Sequence, residues 1–260
     1  MASGSRIWNG DYWFAVASLV EKDFKVRYRN MWLGAVWSLI SPLVMMAVLT
    51  FVSTQIFTSN GLMDRALSIL CGLVPFNFFS LGWSTGTTSV LMNAGLLKRV
   101  PVPRQIFPVA SVLANCVHLL IQIGLLLTGV IVFGRGLNVY WLWLPVIWML
   151  EVLFVLGLVL IFSAINVYVR DTRYVVESAT TIMFWLVPVF YSFTLIPPQY
   201  RMVYEFNPVA ALVMMSRTIL MDGRAPVHFT LATMFCVSFV TFAAGCLIFR
   251  KLQAGFYEYL

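Results

Sequence analysis

The chain has 260 residues, of which 61% are apolar and only 10% charged, and its formal net charge is +7. A soluble domain carries about 45–50% apolar and about 25% charged residues, so a solvated globule is excluded. A disordered chain is excluded too, because such chains are poor in apolar residues. The composition is that of an integral membrane protein, whose cations report orientation rather than nucleic-acid binding.

The first 30 residues hold Arg6, Lys22, Lys25, Arg27 and Arg29. They lack a compact apolar run ending at a small-residue cleavage site, so no cleavable signal is expected. Within 11–29, Tyr12, Val16, Leu19, Val20 and Phe24 recur at steps of three and four among Asp11, Ser18, Glu21, Lys22, Lys25 and Arg29. That period predicts an amphipathic helix lying along the inner leaflet.

Six long apolar stretches follow. A hydrocarbon core about 30 Å thick needs about 20 helical residues, and lipid-exposed backbone must bond internally. A barrel would show alternating segments of about ten residues, whereas these runs are continuous. The expected fold is therefore all-α, with six transmembrane helices near 31–57, 66–92, 106–133, 139–165, 178–197 and 228–249. Pro42, Pro75 and Pro188 fall inside the first, second and fifth of these, where each should bend its helix. Gly82 and Gly86 form a G-x-x-x-G pair in the second, which permits close helix contact within or between subunits. Glu151, in the fourth, is the one acidic or basic residue within the six stretches. A charge at that depth costs roughly 3 kcal/mol and needs a partner, water or a proton. A contact with His118 or Gln122 of the third helix is expected, or a buried hydrogen bond to another neighbour.

Between the fifth and sixth spans, residues 198–224 are too short for a further crossing. Residues 206–216 are apolar but run into Arg217, so a short re-entrant or interfacial helix on the outer face is expected rather than a seventh span. With six spans both termini share a side. On that side lie Arg6, Lys22, Lys25, Arg27, Arg29, Lys98, Arg99, Arg104, Arg170, Arg173, Arg250 and Lys251, twelve of the 17 cations. Arg65, Arg135, Arg201, Arg217 and Arg224 lie on the other. The positive-inside rule places residues 1–30 and the tail 250–260 in the cytoplasm.

Chemistry is sparse. The cysteines Cys71, Cys116, Cys236 and Cys246 lie in apolar stretches without a C-x-x-C pair, so neither a disulfide framework nor a zinc site is indicated. There is no G-x-x-x-x-G-K-[ST] loop and no H-E-x-x-H motif, and the cytoplasmic loops show no carboxylate pair. No catalytic residue, metal site or cofactor is expected in this chain. Trp8, Trp13, Tyr140, Trp141, Trp143, Tyr200 and Tyr204 suit membrane interfaces. Phe184 and Trp185 sit near the middle of the fifth span, and Tyr191, seven residues after Phe184, should share its helix face. Such a face can pack on lipid and neighbours, or stack on sugars in a passage.

Three stretches resemble one family. They are Val26-Arg27-Tyr28-Arg29 with Leu33-Gly34-Ala35-Val36-Trp37 and Pro42; Asn166-Val167-Tyr168-Val169-Arg170-Asp171 leading to Phe184-Trp185-Leu186-Val187-Pro188-Val189-Phe190-Tyr191; and Ile196-Pro197-Pro198 with Asn207-Pro208-Val209. In order and separation they are similar to the permease subunits of ABC exporters for bacterial polysaccharides, of the O-antigen and teichoic-acid (Wzm and TagG) type. Capsule exporters are less similar around Arg170-Asp171.

The resemblance implies a bacterial cytoplasmic (inner) membrane protein that pairs with a second copy of itself. It implies two copies of a separate ABC ATPase subunit, which bind the ATP and Mg, and a lipid-linked polysaccharide as cargo. The first and fifth helices would line a channel, with Trp37, Phe184, Trp185 and Tyr191 as candidate lining residues, and 198–224 would form an outer gate. The loop 93–104, stiffened by Pro101 and Pro103, would dock on the ATPase through Lys98, Arg99 and Arg104, with Arg170 and Asp171 as a second contact. Three other readings compete. One is a permease of the same architecture for a drug or peptide. Another is an ion-coupled transporter, which should show more buried ionisable groups. The third is a membrane enzyme, which would need an acid pair or nucleophile.

Overall fold

The computed structural model describes residues 11–28, 36–56, 61–100, 102–133 and 136–259, and among these every regular element is helical. Arg6, Trp8, Arg29, Leu33, Gly34, Ala35, Pro101 and Arg135, invoked above, lie outside the described residues.

Helix α1 (Tyr12–Tyr28) opens where Asp11 accepts a hydrogen bond from the Trp13 amide at 2.9 Å, satisfying a first-turn donor as an N-cap does. Its ion pair between Lys25 and Glu21, at 2.5 Å, stands in solvent and holds the Glu21 carboxyl below its ordinary range. A pair so exposed adds little stability. The anchoring face is apolar instead. Val16 and Leu19 bury against Leu97, Ile106 and Phe107. Farther along, Arg27 Nη1 donates to Asn115 Oδ1 at 2.9 Å, and Asn115 Nδ2 donates to Thr85 Oγ1 at 2.8 Å.

Five helical stretches are long and apolar enough to cross a membrane: Trp37–Ile56, Leu62–Arg99, Ile106–Val132, Val139–Tyr168 and His228–Gly255. They contain α2 (Trp37–Ile56), α3 (Leu62–Met92) with the short α4 (Ala94–Arg99), α5 (Ile106–Val132), α6 (Leu144–Tyr168) and α10 (His228–Leu252). They correspond to the first, second, third, fourth and sixth expected spans.

The fifth span differs from expectation. Helix α7 (Thr172–Leu186) begins six residues early and has only 15 residues, about 22 Å at 1.5 Å per residue. It stops because Val187 precedes Pro188 and is extended (φ −75°, ψ 137°), as sterics before proline favour. The helices α2 and α3 run through Pro42 and Pro75. Beyond α7 the chain passes through buried Val187, Pro188 and Val189 without helix. It then enters α8 (Pro198–Phe206) and α9 (Pro208–Leu220). Asn207 caps α9, its Oδ1 accepting from the Val209 amide at 3.0 Å, and Pro208 occupies the first turn, where its missing donor costs nothing. At 13 residues α9 is too short to span. Its Ala210, Ala211, Leu212 and Val213 are fully enclosed, so it is a core element rather than a surface helix. A short helix α11 (Phe256–Tyr259) follows α10.

The packed frame is α3, α5 and α6, with α10 laid along α6 and its far side open. Gly82 and Gly86 lie against Val155 and Val159 of α6, so the G-x-x-x-G contact is within the subunit. On the other face of α6 the backbones touch: a Cβ on Gly157 would stand 2.7 Å from the Thr241 carbonyl oxygen, and one on Gly245 would stand 2.5 Å from that of Gly157. Small residues are what let apolar helices approach this closely. A second apolar cluster joins α1, α4, the start of α5, and the ends of α6 and α10 through Leu97, Phe107, Val167, Phe249 and Phe256.

Candidate functional site

The channel candidates divide by level. The Asn115–Thr85 hydrogen bond and the contact of Gly129 with Leu67 set the register of α5 against α3. Gln122 lies halfway between the two α5 positions, and Phe76 halfway between the two on α3. Gln122 Nε2 donates to Ser38 O at 3.4 Å, and the Phe76 ring meets Phe184 at 5.3 Å. Thus α2 begins, and α7 ends, near one level in the middle of the bundle. Trp37 and Trp185, 51% and 62% exposed, stand there on faces that the protomer does not cover.

Phe184 and Tyr191 do not share a helix face, contrary to expectation. Phe184 turns inward onto Phe76, and Tyr191 lies beyond the end of α7. The Tyr191 hydroxyl folds back to donate to Leu186 O at 2.7 Å, which supplies a donor to a terminal carbonyl of the broken helix. Phe190 joins Phe184, Trp185 and Tyr191 at ring separations of 6.5, 5.8 and 5.1 Å.

Arg217 organises this break, a role absent from the sequence reading. Its Nε donates to Ser68 O of α3 at 2.9 Å, its Nη1 to Tyr191 O at 3.0 Å, and its Nη2 to Val189 O. One guanidinium therefore satisfies carbonyls that a helical ladder would have paired, and ties segment 187–192 to α3. Gly72 makes the fit possible, since a Cβ there would stand 3.2 Å from the Val189 backbone. The only local signal was a cation ending an apolar run.

Beside Arg217 a cavity of about 1030 Å³ opens between the end of α2, the start of α3, segment 190–195, α8, α9 and the start of α10. Phe190, Tyr191, Phe193 and Phe229 line it beside Asp64, Arg65, Glu205, Arg217 and Asp222. Arg65 Nη1 donates to Ser53 O at 2.6 Å.

The match that decides the family covers most of the chain: residues 15–221 fit the ABC-2 type transporter model. This chain belongs to the ABC-2 type transporter family. Similar proteins include the O-antigen export system permease proteins RfbA of Klebsiella pneumoniae and of Myxococcus xanthus. Each is 27% identical over 243 residues, covering 93% of either chain. The polysialic acid transport protein KpsM of Escherichia coli is 22% identical over 244 residues, covering 92% of this chain and 93% of its own.

One end of this ABC-2 protein carries the residues expected to couple it to a motor. Asn93 interrupts the long helix, and α4 presents Lys98 and Arg99 in its exposed last turn while Leu97 is buried beneath them. Arg170 and Asp171 are exposed in the turn between α6 and α7. The same apolar cluster holds α4 and the end of α6. Arg104 is half-buried, with its guanidinium 5.8 Å from the Phe256 ring centre; it also braces the C-terminal helix.

Glu151 is fully buried, and neither of its carboxyl oxygens has a hydrogen-bond partner among the described residues. The expected bond to His118 or Gln122 is not made: Gln122 turns its amide nitrogen to Ser38 of α2. His118 is buried in α5.

Proposed function

We propose that this chain is the permease subunit of an ABC exporter that moves a lipid-linked polysaccharide, of O-antigen or teichoic-acid kind, across the bacterial cytoplasmic membrane. The carrying observation is the open face of α7. Tyr174, Ser178, Thr181 and Trp185, at steps of four, three and four, are all exposed on it. The stripe sets Ser178 and Thr181 between two aromatic rings on a face the protomer leaves open, and polar side chains between rings suit a sugar chain, whose C–H faces stack on the rings. The names of the full-length relatives support the same cargo class.

In this reading α7 and segment 187–197 together make the fifth of six crossings, and both termini are cytoplasmic. A second copy of the chain faces the α2 and α7 surfaces, so that Trp37 and Trp185 from both copies ring a passage. Helices α8 and α9 form the outer gate, with α9 re-entrant. Helix α1 borders the entry from the inner leaflet. The motor is a pair of separate ATPase subunits that bind ATP and Mg. They dock on α4 through Lys98 and Arg99 and on the Arg170-Asp171 turn.

Co-purification tests this reading. An ATPase chain encoded with this permease should be retained by it, and ATP hydrolysis should respond to added polysaccharide. Reversing Lys98 and Arg99 to Glu should reduce retention at least tenfold, since like charges then oppose at the contact. Full retention by the reversed variant would refute the docking site.

A further inference from the structure

The outer cavity is walled by four rings, Phe190, Tyr191, Phe193 and Phe229, and by the carboxylates Glu205 and Asp222. Its volume of about 1030 Å³ is at the upper end of the range, about 300–1,000 Å³, that encloses compact organic ligands. The walls are fixed before any ligand arrives. Arg217 holds the Tyr191 carbonyl at 3.0 Å and the Tyr191 hydroxyl bonds Leu186. Phe193 lies under the Arg201 guanidinium at 5.9 Å, and Phe229 meets Phe206 at 5.7 Å.

The charges discriminate among ligands. Two guanidinium groups reach the cavity, yet Arg217 directs three donors to backbone carbonyls and Arg65 directs one to Ser53 O. The side-chain carboxylates of Glu205 and Asp222 make no hydrogen bond or salt bridge among the described residues. Their acceptor oxygens are free, and Asp64 adds a third negative charge to the lining. An anionic phosphate or lipid headgroup would meet three carboxylates against two guanidinium groups that already direct donors to backbone carbonyls. A neutral ligand rich in hydroxyl groups would donate to those carboxylates and lay its C–H faces on the rings.

We propose that this cavity is a glycan-binding subsite at the outer end of each protomer, which takes a few uncharged sugar units of the emerging polymer through Glu205, Asp222 and the four rings. The proposal rests on the polysaccharide reading above and adds a place where the chain is held after it has passed the level of Trp37 and Trp185. Such a subsite, lateral to the passage, would hinder backsliding between strokes of the motor.

The test is binding without turnover. The permease–ATPase complex in nanodiscs, free of nucleotide, is titrated with short, lipid-free, uncharged fragments of the producing strain's own surface polysaccharide, and saturation-transfer NMR reports contact. The double variant Glu205→Gln, Asp222→Asn keeps shape and removes charge. It should bind the fragments about tenfold or more weakly, because charge-assisted hydrogen bonds are roughly twice as strong as neutral ones, whereas Phe239→Ala, which removes an exposed ring of α10 outside the cavity, should bind them within about twofold of the parent. Equal affinity in parent and double variant, or displacement of the fragments by inorganic phosphate or glycerol phosphate, would overturn the assignment. Absence of binding to a parent complex that still exports polysaccharide would sink the subsite and leave the exporter reading intact. Variant-sensitive binding in a complex that exports nothing would uphold the subsite and count against the exporter.

Discussion

Replacing Arg217 by Met removes the guanidinium and keeps much of the side-chain bulk. The structure assigns it hydrogen bonds to Ser68 O, Tyr191 O and Val189 O. Bonds from a charged donor contribute about 1.5–3 kcal/mol each, and a buried acceptor left bare costs about 1–3 kcal/mol. Ser68 O lies within α3 and keeps its helical environment, so the loss falls mainly on the two carbonyls of the broken segment. Relaxation and water entry lower the sum, and about 3–5 kcal/mol of local stability is the expected loss, the range for breaking a buried charged contact. At 1.4 kcal/mol per factor of ten, amide exchange in segment 187–196 should accelerate from about 10²-fold to a few thousandfold. The frame of α3, α6 and α10 should keep its protection. Hydrogen–deuterium exchange on the complex in nanodiscs reads both regions in one experiment. Arg217→Lys, which retains the charge but not the fork, should fall between parent and Met. Unchanged exchange over 187–196 in the Met variant would show that the segment is held by its buried Val187 and Val189 alone, and the clamp argument would fail.

Two further outcomes follow from packing and polarity. Gly157→Ala places a methyl 2.7 Å from the Thr241 carbonyl oxygen, so α6 and α10 must part. A loss of about 1–3 kcal/mol is expected from overpacking, read as a lower melting temperature in detergent, and an unaltered melt would contradict the backbone contact. Glu151→Leu exchanges an enclosed carboxyl without a partner for an apolar side chain of similar size. Removing an unsatisfied buried group should raise stability by about 1–3 kcal/mol, visible in the same melt; a drop would reveal a partner supplied by the assembly.

The charge-free runs sufficed to locate α2, α3, α5, α6 and α10, because twenty apolar residues in succession leave the backbone no other solution in lipid. They failed for α7. Val187, Val189 and Phe190 are apolar, so the run looked continuous through Pro188. What permits a break there is a donor set on Arg217, 28 residues beyond Val189, and no local pattern carries that information. The start of α7 lies outside the apolar run for the opposite reason: Arg173 and Glu177 are charged and exposed, so the charge-free stretch begins only at Ser178. The site was legible as residue types but not as geometry. Trp37 is carried by the family pattern and Trp185 by its place inside an apolar run. That they share a level depends on the register of α5 against α3. Phe184 and Tyr191 were assigned a common face by a helical period that ends between them.

The contact of α6 with α10 has a mechanical consequence. Two helices that meet main chain to main chain have no side-chain cushion to shear, so they should move as a single plate, with α3 seated on it through Gly82 and Gly86. Along α7 only Thr172, Val176 and Thr180 are buried, with Ala179, Met183 and Phe184 partly so, and α2 leaves its Trp37, Val44, Val48 and Phe51 side chains uncovered. Widening for a bulky cargo would then be a swing of these two thin staves against a stiff back, rather than a loosening of the whole barrel of helices.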